Sequence, residues 1–177
     1  MGEEQKTQDE VEIESVAEDS EIVINDDSEQ SEERFPILIV DDDRWIQRIF
    51  NQYLSKWNFE HIEAFDSFEG MDQAIRHKPL MIFLDIIMPE VTGDITLKFL
   101  RAVEVTKDIP VVIISGNLNK DVLKNTYRDG AAGFLSKPFT KEILLAKIVE
   151  VLDDEILKKM MRAGLINPKL VKQALGQ

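Results

Sequence analysis

The sequence contains no cysteine, so disulfides, thiolate metal sites and thiol nucleophiles are all excluded. It has two histidines, His61 and His77, and neither sits among other ligating or catalytic residue types, so both read as structural. No apolar run approaches the roughly 18 residues that a membrane span requires. The opening MGEEQKTQDE lacks the basic start and apolar stretch of a secretory signal. These absences lead us to expect a cytoplasmic protein with no membrane contact.

Positive charge is almost missing from one end. Residues 1–33 hold 14 of the 34 acidic residues but only Lys6 of the 21 basic ones, so the net charge of −13 belongs to that segment and the rest is neutral. The segment has no aromatic residue, and its apolar patches are limited to Val11, Ile13, Val16 and the trio Ile22, Val23, Ile24. That is too little to offset the entropy of ordering, so we expect residues 1–33 to form a disordered acidic leader, either merely solubilising or a docking segment built on the trio.

From Arg34 the texture changes to an alternation of strands and helices. FPILIV at 35–40 is a strand-length apolar run stopped by three aspartates. Trp45, Ile46, Ile49, Phe50, Tyr53, Leu54 and Trp57 then recur at the spacing of one helical face. Further strands are expected at 59–65, at PLMIFLD, at PVVIISG and at GFLS. Between and after them we expect helices at 67–77 capped by Ser67, at 94–105 with Ile95, Phe99, Leu100 and Val103 on one face, at 119–129 closed by Gly130, and at 140–152. Such an order predicts an α/β fold, a doubly wound parallel sheet of five strands with helices on both faces.

In such sheets ligands bind at the carboxyl ends of the strands. The predicted ends carry Asp41, Asp42 and Asp43, then Asp85, then Ser115 and Gly116, then Ser136, Lys137 and Pro138. Two unit charges about 4 Å apart repel by roughly 4 kcal/mol at an effective dielectric of about 20, so crowded carboxylates need a counter-charge. Lys137 supplies one, and an all-oxygen cluster suits a hard divalent cation such as Mg²⁺. Asp43 reads better as a helix cap than as a ligand.

These residues resemble the receiver domain of two-component response regulators over about residues 35–152. VDD at 40–42 resembles its acidic pair, DIIMPEVTG at 85–93 its phosphoacceptor loop, SG at 115–116 its hydroxyl and small-residue pair, and SKPF at 136–139 its lysine-proline motif. The resemblance implies a flavodoxin-like (CheY-like) sheet of order 2-1-3-4-5, and a Mg²⁺-dependent phosphoryl transfer onto Asp85 from a sensor histidine kinase or a phosphotransfer protein. It implies metal ligation by Asp42, Asp85 and the carbonyl of Ile87, with Asp41 acting through water. Phosphoryl binding falls to Ser115, Gly116 and Lys137, with Gly116 leaving room for Ser115 to approach. A switch pairs Ser115 with Phe134, whose bland alternative is core packing. Pro89 and Gly93 shape the loop, Pro138 follows a cis bond, and Ile87 with Asn117 tune hydrolysis. The implied role is signalling to a downstream protein partner, with self-dephosphorylation but no turnover. A haloacid dehalogenase type hydrolase would need a second Asp where Ile87 stands, and is rejected. A phosphorylation-independent scaffold is the alternative reading.

Beyond Leu152, residues 153–177 read as a basic helical hairpin broken at Gly164 and reopened at Asn167-Pro168. It is too short for a DNA-binding domain, so no direct DNA binding is expected. Packing on the preceding helix, a homodimer face or another partner face, and a basic hairpin masked by the acidic leader remain open. RAGLINPKLVKQAL also resembles the opening of the amino-terminal domain of type II secretion ATPases, which would make the chain the N-terminal fragment of a longer regulator.

Overall fold

The computed structural model describes residues 35–174 apart from 58, 117, 118 and 165. The expected leader at 1–33 and the role given to Asn117 lie outside the described residues. Strands β1 (Phe35–Val40), β2 (Phe59–Ala64), β3 (Met81–Asp85), β4 (Val111–Ser115) and β5 (Gly133–Ser136) form one parallel sheet in the order β2-β1-β3-β4-β5. Helices α1 (Arg44–Leu54), α2 (Ser67–His77), α3 (Gly93–Ala102), α4 (Lys120–Arg128) and α5 (Lys141–Val151) follow the strands in turn. Helices α6 (Asp154–Arg162) and α7 (Pro168–Ala174) follow α5. Among the described residues, no helix is long and apolar enough to cross a membrane.

Every residue of β3 and β4 is buried, as parallel strands covered on both faces require. Alternate side chains serve two cores. Ile37, Ile39, Met81, Phe83, Val112 and Ile114 pack with Phe50 and Leu54 of α1 and with Leu144, Leu145, Ile148 and Val149 of α5. Leu38, Val40, Ile82, Leu84 and Ile113 pack with Ala74 of α2 and with Leu97 and Leu100 of α3. The C-terminal hairpin extends the first core, since Leu157, Met160, Ile166 and Val171 join it. The hairpin thus packs on the body of the domain, as one of its expected uses requires. Gly164, at φ +72°, makes the turn between its helices.

Three local expectations are corrected. Helix α1 buries Gln47, Phe50 and Leu54, whereas Trp45 is 65% exposed. At about 100° per residue, Trp45 lies roughly 200° from Gln47 and so points away from the sheet. Helix α3 buries Gly93, Thr96, Leu97 and Leu100 and leaves Ile95 and Phe99 exposed. It also stops at Ala102, where the Thr106 hydroxyl donates to the Leu100 carbonyl at 2.8 Å. Helix α2 is capped by Asp66, not by Ser67: the Asp66 carboxylate accepts from the Glu69 N–H at 2.8 Å, and the Glu69 carboxylate accepts from the N–H of Phe65, just before the cap, at 2.7 Å.

Candidate functional site

The strand register builds the mouth of the site. Val40 pairs with Leu84, so Asp41 and Asp85 leave the sheet side by side. Asp85 pairs with Ile114 and Ser115 with Ser136, which brings the hydroxyl and Lys137 to the same edge. The Lys137 N–H donates to the Ser115 carbonyl at 2.9 Å. Carboxylate oxygens of Asp41, Asp42 and Asp85 lie within 4.8 Å of one another, with Asp41 and Asp85 buried and Asp42 exposed.

Lys137 is the counter-charge within the protein. Its Nζ lies 2.6 Å from Asp41 Oδ2 and 2.7 Å from Asp85 Oδ2. Burial alone would pull the ammonium down, but its hydrogen bonds and charges with Asp41 and Asp85 outweigh that and hold it above the ordinary lysine value. Burial pushes the Asp41 carboxyl up, against the opposing pull of Lys137.

The acidic pocket fits a hard cation on its own chemistry. Asp41 Oδ1 accepts from the Asp43 N–H at 3.0 Å, and its buried Oδ2 lies 2.6 Å from the Lys137 ammonium. One ammonium among three carboxylates leaves the cluster short of positive charge, and such an all-oxygen donor set suits a divalent cation.

The other expected site residues are placed as follows. Ile87 is 65% exposed in the β3–α3 loop, and its N–H donates to Asp85 Oδ1 at 3.2 Å. In the same loop Met88 is buried and Pro89 is exposed, while Glu90 takes the left-handed φ of +63°. A Cβ on Gly93 would stand 2.0 Å from the Asp85 carbonyl oxygen, so only glycine lets α3 start this close to the acidic strand end. Ser115 is buried at the end of β4. A Cβ on Gly116, by contrast, would meet nothing within 4 Å. Phe134 is half-buried against the second core, and the Lys137-Pro138 bond is cis. Asp43 caps α1, accepting from the Trp45 N–H at 2.8 Å.

Sequence reasoning missed Gln47. Its side chain is buried, and its amide donates to the carbonyls of Ile39 at 3.2 Å, Asp41 at 3.1 Å and Ala64 at 2.9 Å. The amide thereby continues the β1–β2 ladder beyond its last residues and fixes the backbone that carries Asp41. The signal was a polar residue in the 47, 50, 54 stripe, where every neighbour on the face is apolar. Gln47 Oε1 faces His61 Nε2 at 3.0 Å, so that nitrogen carries the proton, while Nδ1 lies 3.5 Å from Glu63. Ser67 and Thr96 were also overlooked. The Thr96 hydroxyl donates to Ser67 Oγ at 2.7 Å and Ser67 donates to the Val91 carbonyl at 2.7 Å, pinning the acidic loop to α2 and α3.

Burial lowers the His61 pKa from 6.5, with Glu63 opposing the shift. The fold holds His61 neutral while the unfolded chain takes up a proton, so its contribution is present above about pH 6.5 and is lost as pH falls below it. The expected result is a loss of stability toward pH 5, of at most about 1.4 kcal/mol per pH unit, that is absent from His61→Gln in paired urea titrations at pH 7.5 and 5.5.

Comparison with known proteins gives one family. The family model for the response regulator receiver domain matches residues 37–149. Protein PilG of Pseudomonas aeruginosa is 31% identical over 123 residues, covering 68% of this chain and 89% of PilG. Hybrid signal transduction histidine kinase D of Dictyostelium discoideum is 27% identical over 129 residues, 73% of this chain, yet the chain spans only 8% of that kinase. The crystal structure of the CheX-CheY-BeF3-Mg+2 complex from Borrelia burgdorferi matches with a TM-score of 0.62 at 27% identity, covering 66% of this chain and 88% of that one.

Proposed function

The chain belongs to the response regulator receiver domain family, which places it in phosphorelay signalling, and from that premise we propose that Asp85 is its phosphoacceptor. The single observation that carries the assignment is the Lys137 ammonium seated 2.6 Å from Asp41 and 2.7 Å from Asp85. In the transfer, an Asp85 carboxylate oxygen forms a bond to phosphorus as the donor's bond to phosphorus breaks, leaving an acyl phosphate. A carboxylate is a weak nucleophile, so the rate rests on position and on positive charge around the phosphoryl oxygens. Lys137 supplies one such charge as a compact ammonium, and the Ile87 N–H orients Asp85 through Oδ1. Ser115 donates to a phosphoryl oxygen once it is in place, and Phe134 follows the movement of β4. The half-burial of Phe134 is compatible with that movement and equally with plain packing.

Magnesium, which Asp42, Asp85 and the Ile87 carbonyl would hold, would supply further positive charge to the phosphoryl oxygens. Asp41 is engaged with Lys137 and the Asp43 N–H, which supports an indirect role for it. The Mg+2 named in the Borrelia burgdorferi complex supports the same choice of ion. The donor is a phosphohistidine on a histidine kinase or phosphotransfer protein, and the phosphorylated chain is read by a protein partner. The module signals rather than turning over substrate, and any self-dephosphorylation is slow. Mass spectrometry after incubation with a small acyl phosphate tests this: a gain of one phosphoryl group is expected with Mg²⁺ and none with excess EDTA. Equal gain in both would remove the metal from the account, and no gain in either would favour a phosphorylation-independent scaffold.

A further inference from the structure

Three carboxylates meet at the strand ends, and they are not held alike. Asp85 is fixed at Oδ1 by the Ile87 N–H, 3.2 Å away, and at Oδ2 by the Lys137 ammonium, 2.7 Å away. Asp41 is fixed by the Asp43 N–H at 3.0 Å and by the same ammonium at 2.6 Å. The Asp42 carboxylate is exposed and makes no hydrogen bond or ion pair among the described residues. Its place in the cluster, within 4.8 Å of the other two, therefore comes from its backbone.

That backbone is gripped on both sides by one residue. The side-chain amide of Gln47 donates to the Asp41 carbonyl at 3.1 Å, and the main-chain N–H of Gln47 donates to the Asp43 carbonyl at 3.1 Å. The same amide reaches the Ala64 carbonyl at 2.9 Å, which also accepts from the Asp41 N–H at 3.0 Å. The turn that carries Asp42 is thus tied to the last rung between β1 and β2. Gln47 is 1% exposed, so no solvent competes for these bonds. An amide has one donor end and one acceptor end, and His61 Nε2 decides which faces the carbonyls by donating to Gln47 Oε1 at 3.0 Å.

We propose that Gln47 is a positioning residue for the divalent cation, setting the affinity of the acidic cluster by placing Asp42 without touching the ion. The inference rests on the reading of Asp42 and Asp85 as metal ligands. A small hard cation tolerates little displacement of an anionic ligand, and a carboxylate with no support of its own moves with the turn beneath it. His61 acts one step further out, by orienting the Gln47 amide.

Magnesium titrations of the full chain, followed in amide NMR spectra, test the proposal. Gln47→Met fills the same space without donors, and it should raise the Mg²⁺ dissociation constant about tenfold or more. Val149→Ala, a buried change on α5, is the stability control and should leave that constant within about twofold of wild type. His61→Leu keeps Gln47 but frees its amide to turn, so a smaller weakening is expected, and this variant decides the matter if Gln47→Met does not fold. With a small acyl phosphate as donor, Gln47→Met should gain phosphate slowly at low Mg²⁺ and at near the wild-type rate once Mg²⁺ saturates. Wild-type affinity in Gln47→Met, an equal weakening in Val149→Ala, or a rate that saturating Mg²⁺ does not restore would each overturn the role of Gln47 while leaving Asp85 as the acceptor. A wild type whose spectra do not respond to Mg²⁺ would overturn the inference together with the metal assignment beneath it.

Discussion

Lys137→Met is expected to lower stability by about 3 kcal/mol in EDTA, because it strips the only described counter-charge from a carboxylate with no exposure to solvent. The cost has a definite pH dependence. Burial raises the folded-state pKa of Asp41 above 3.8, and removing Lys137 takes away the largest force opposing that rise. A raised folded pKa means stability that is present at low pH and lost as pH rises through it. The deficit of the variant should therefore shrink as pH is lowered from 7 toward 4. Magnesium held by Asp42 and Asp85 should return part of it at neutral pH, since the acidic cluster would regain a positive charge. Urea titrations of both proteins, with EDTA and with Mg²⁺, measure all three effects. A variant as stable as wild type in EDTA at pH 7 would mean that the Lys137 contacts do not hold the acidic pair.

Gly93→Ala is expected to be the more damaging of two substitutions that look equally mild. The new methyl would stand 2.0 Å from the Asp85 carbonyl oxygen and 2.9 Å from the Ile86 Cα, and both obstacles are backbone. Neither can rotate aside, so α3 must retreat from β3 at a cost of about 3 kcal/mol or more. At Gly70 the same methyl would meet Val40 Cγ1 at 2.7 Å and Cγ2 at 2.8 Å, where a side chain can shift. Thermal or urea unfolding of the two alanine variants should rank them in that order. Because the displaced backbone carries Asp85, Gly93→Ala should also slow phosphoryl acceptance, which Gly70→Ala should largely spare. Equal stability losses would show that α3 can move without strain.

The sheet was legible because buried parallel strands are written as continuous apolar runs, and ILIV, MIFL and VVII are nearly unambiguous. The site was legible because the strand order places every strand end on one edge, so Asp41, Asp85, Ser115 and Lys137 could be grouped before any distance was known. Helix faces were harder to read. Trp45 and Ile95 are large and apolar, and hydropathy alone assigns them inward; only the start of each helix against its strand decides the rotation. Helix α3 is turned by the close approach at Gly93, a contact between segments that no local pattern records. Gln47 was hidden for the opposite reason: a polar residue inside an apolar stripe looks like an interruption until the carbonyls it satisfies are seen at the β1 and β2 ends.

The central claim is that the phosphoryl group is carried by Asp85, and reductive trapping addresses it most directly. After incubation with Mg²⁺ and a small acyl phosphate, borohydride converts an aspartyl phosphate to homoserine, which peptide mass spectrometry assigns to one position. The account predicts homoserine at position 85 in wild type and at no position in Asp85→Asn. Homoserine at 41 or 42 in wild type, or an undiminished phosphoryl gain in Asp85→Asn, would contradict it.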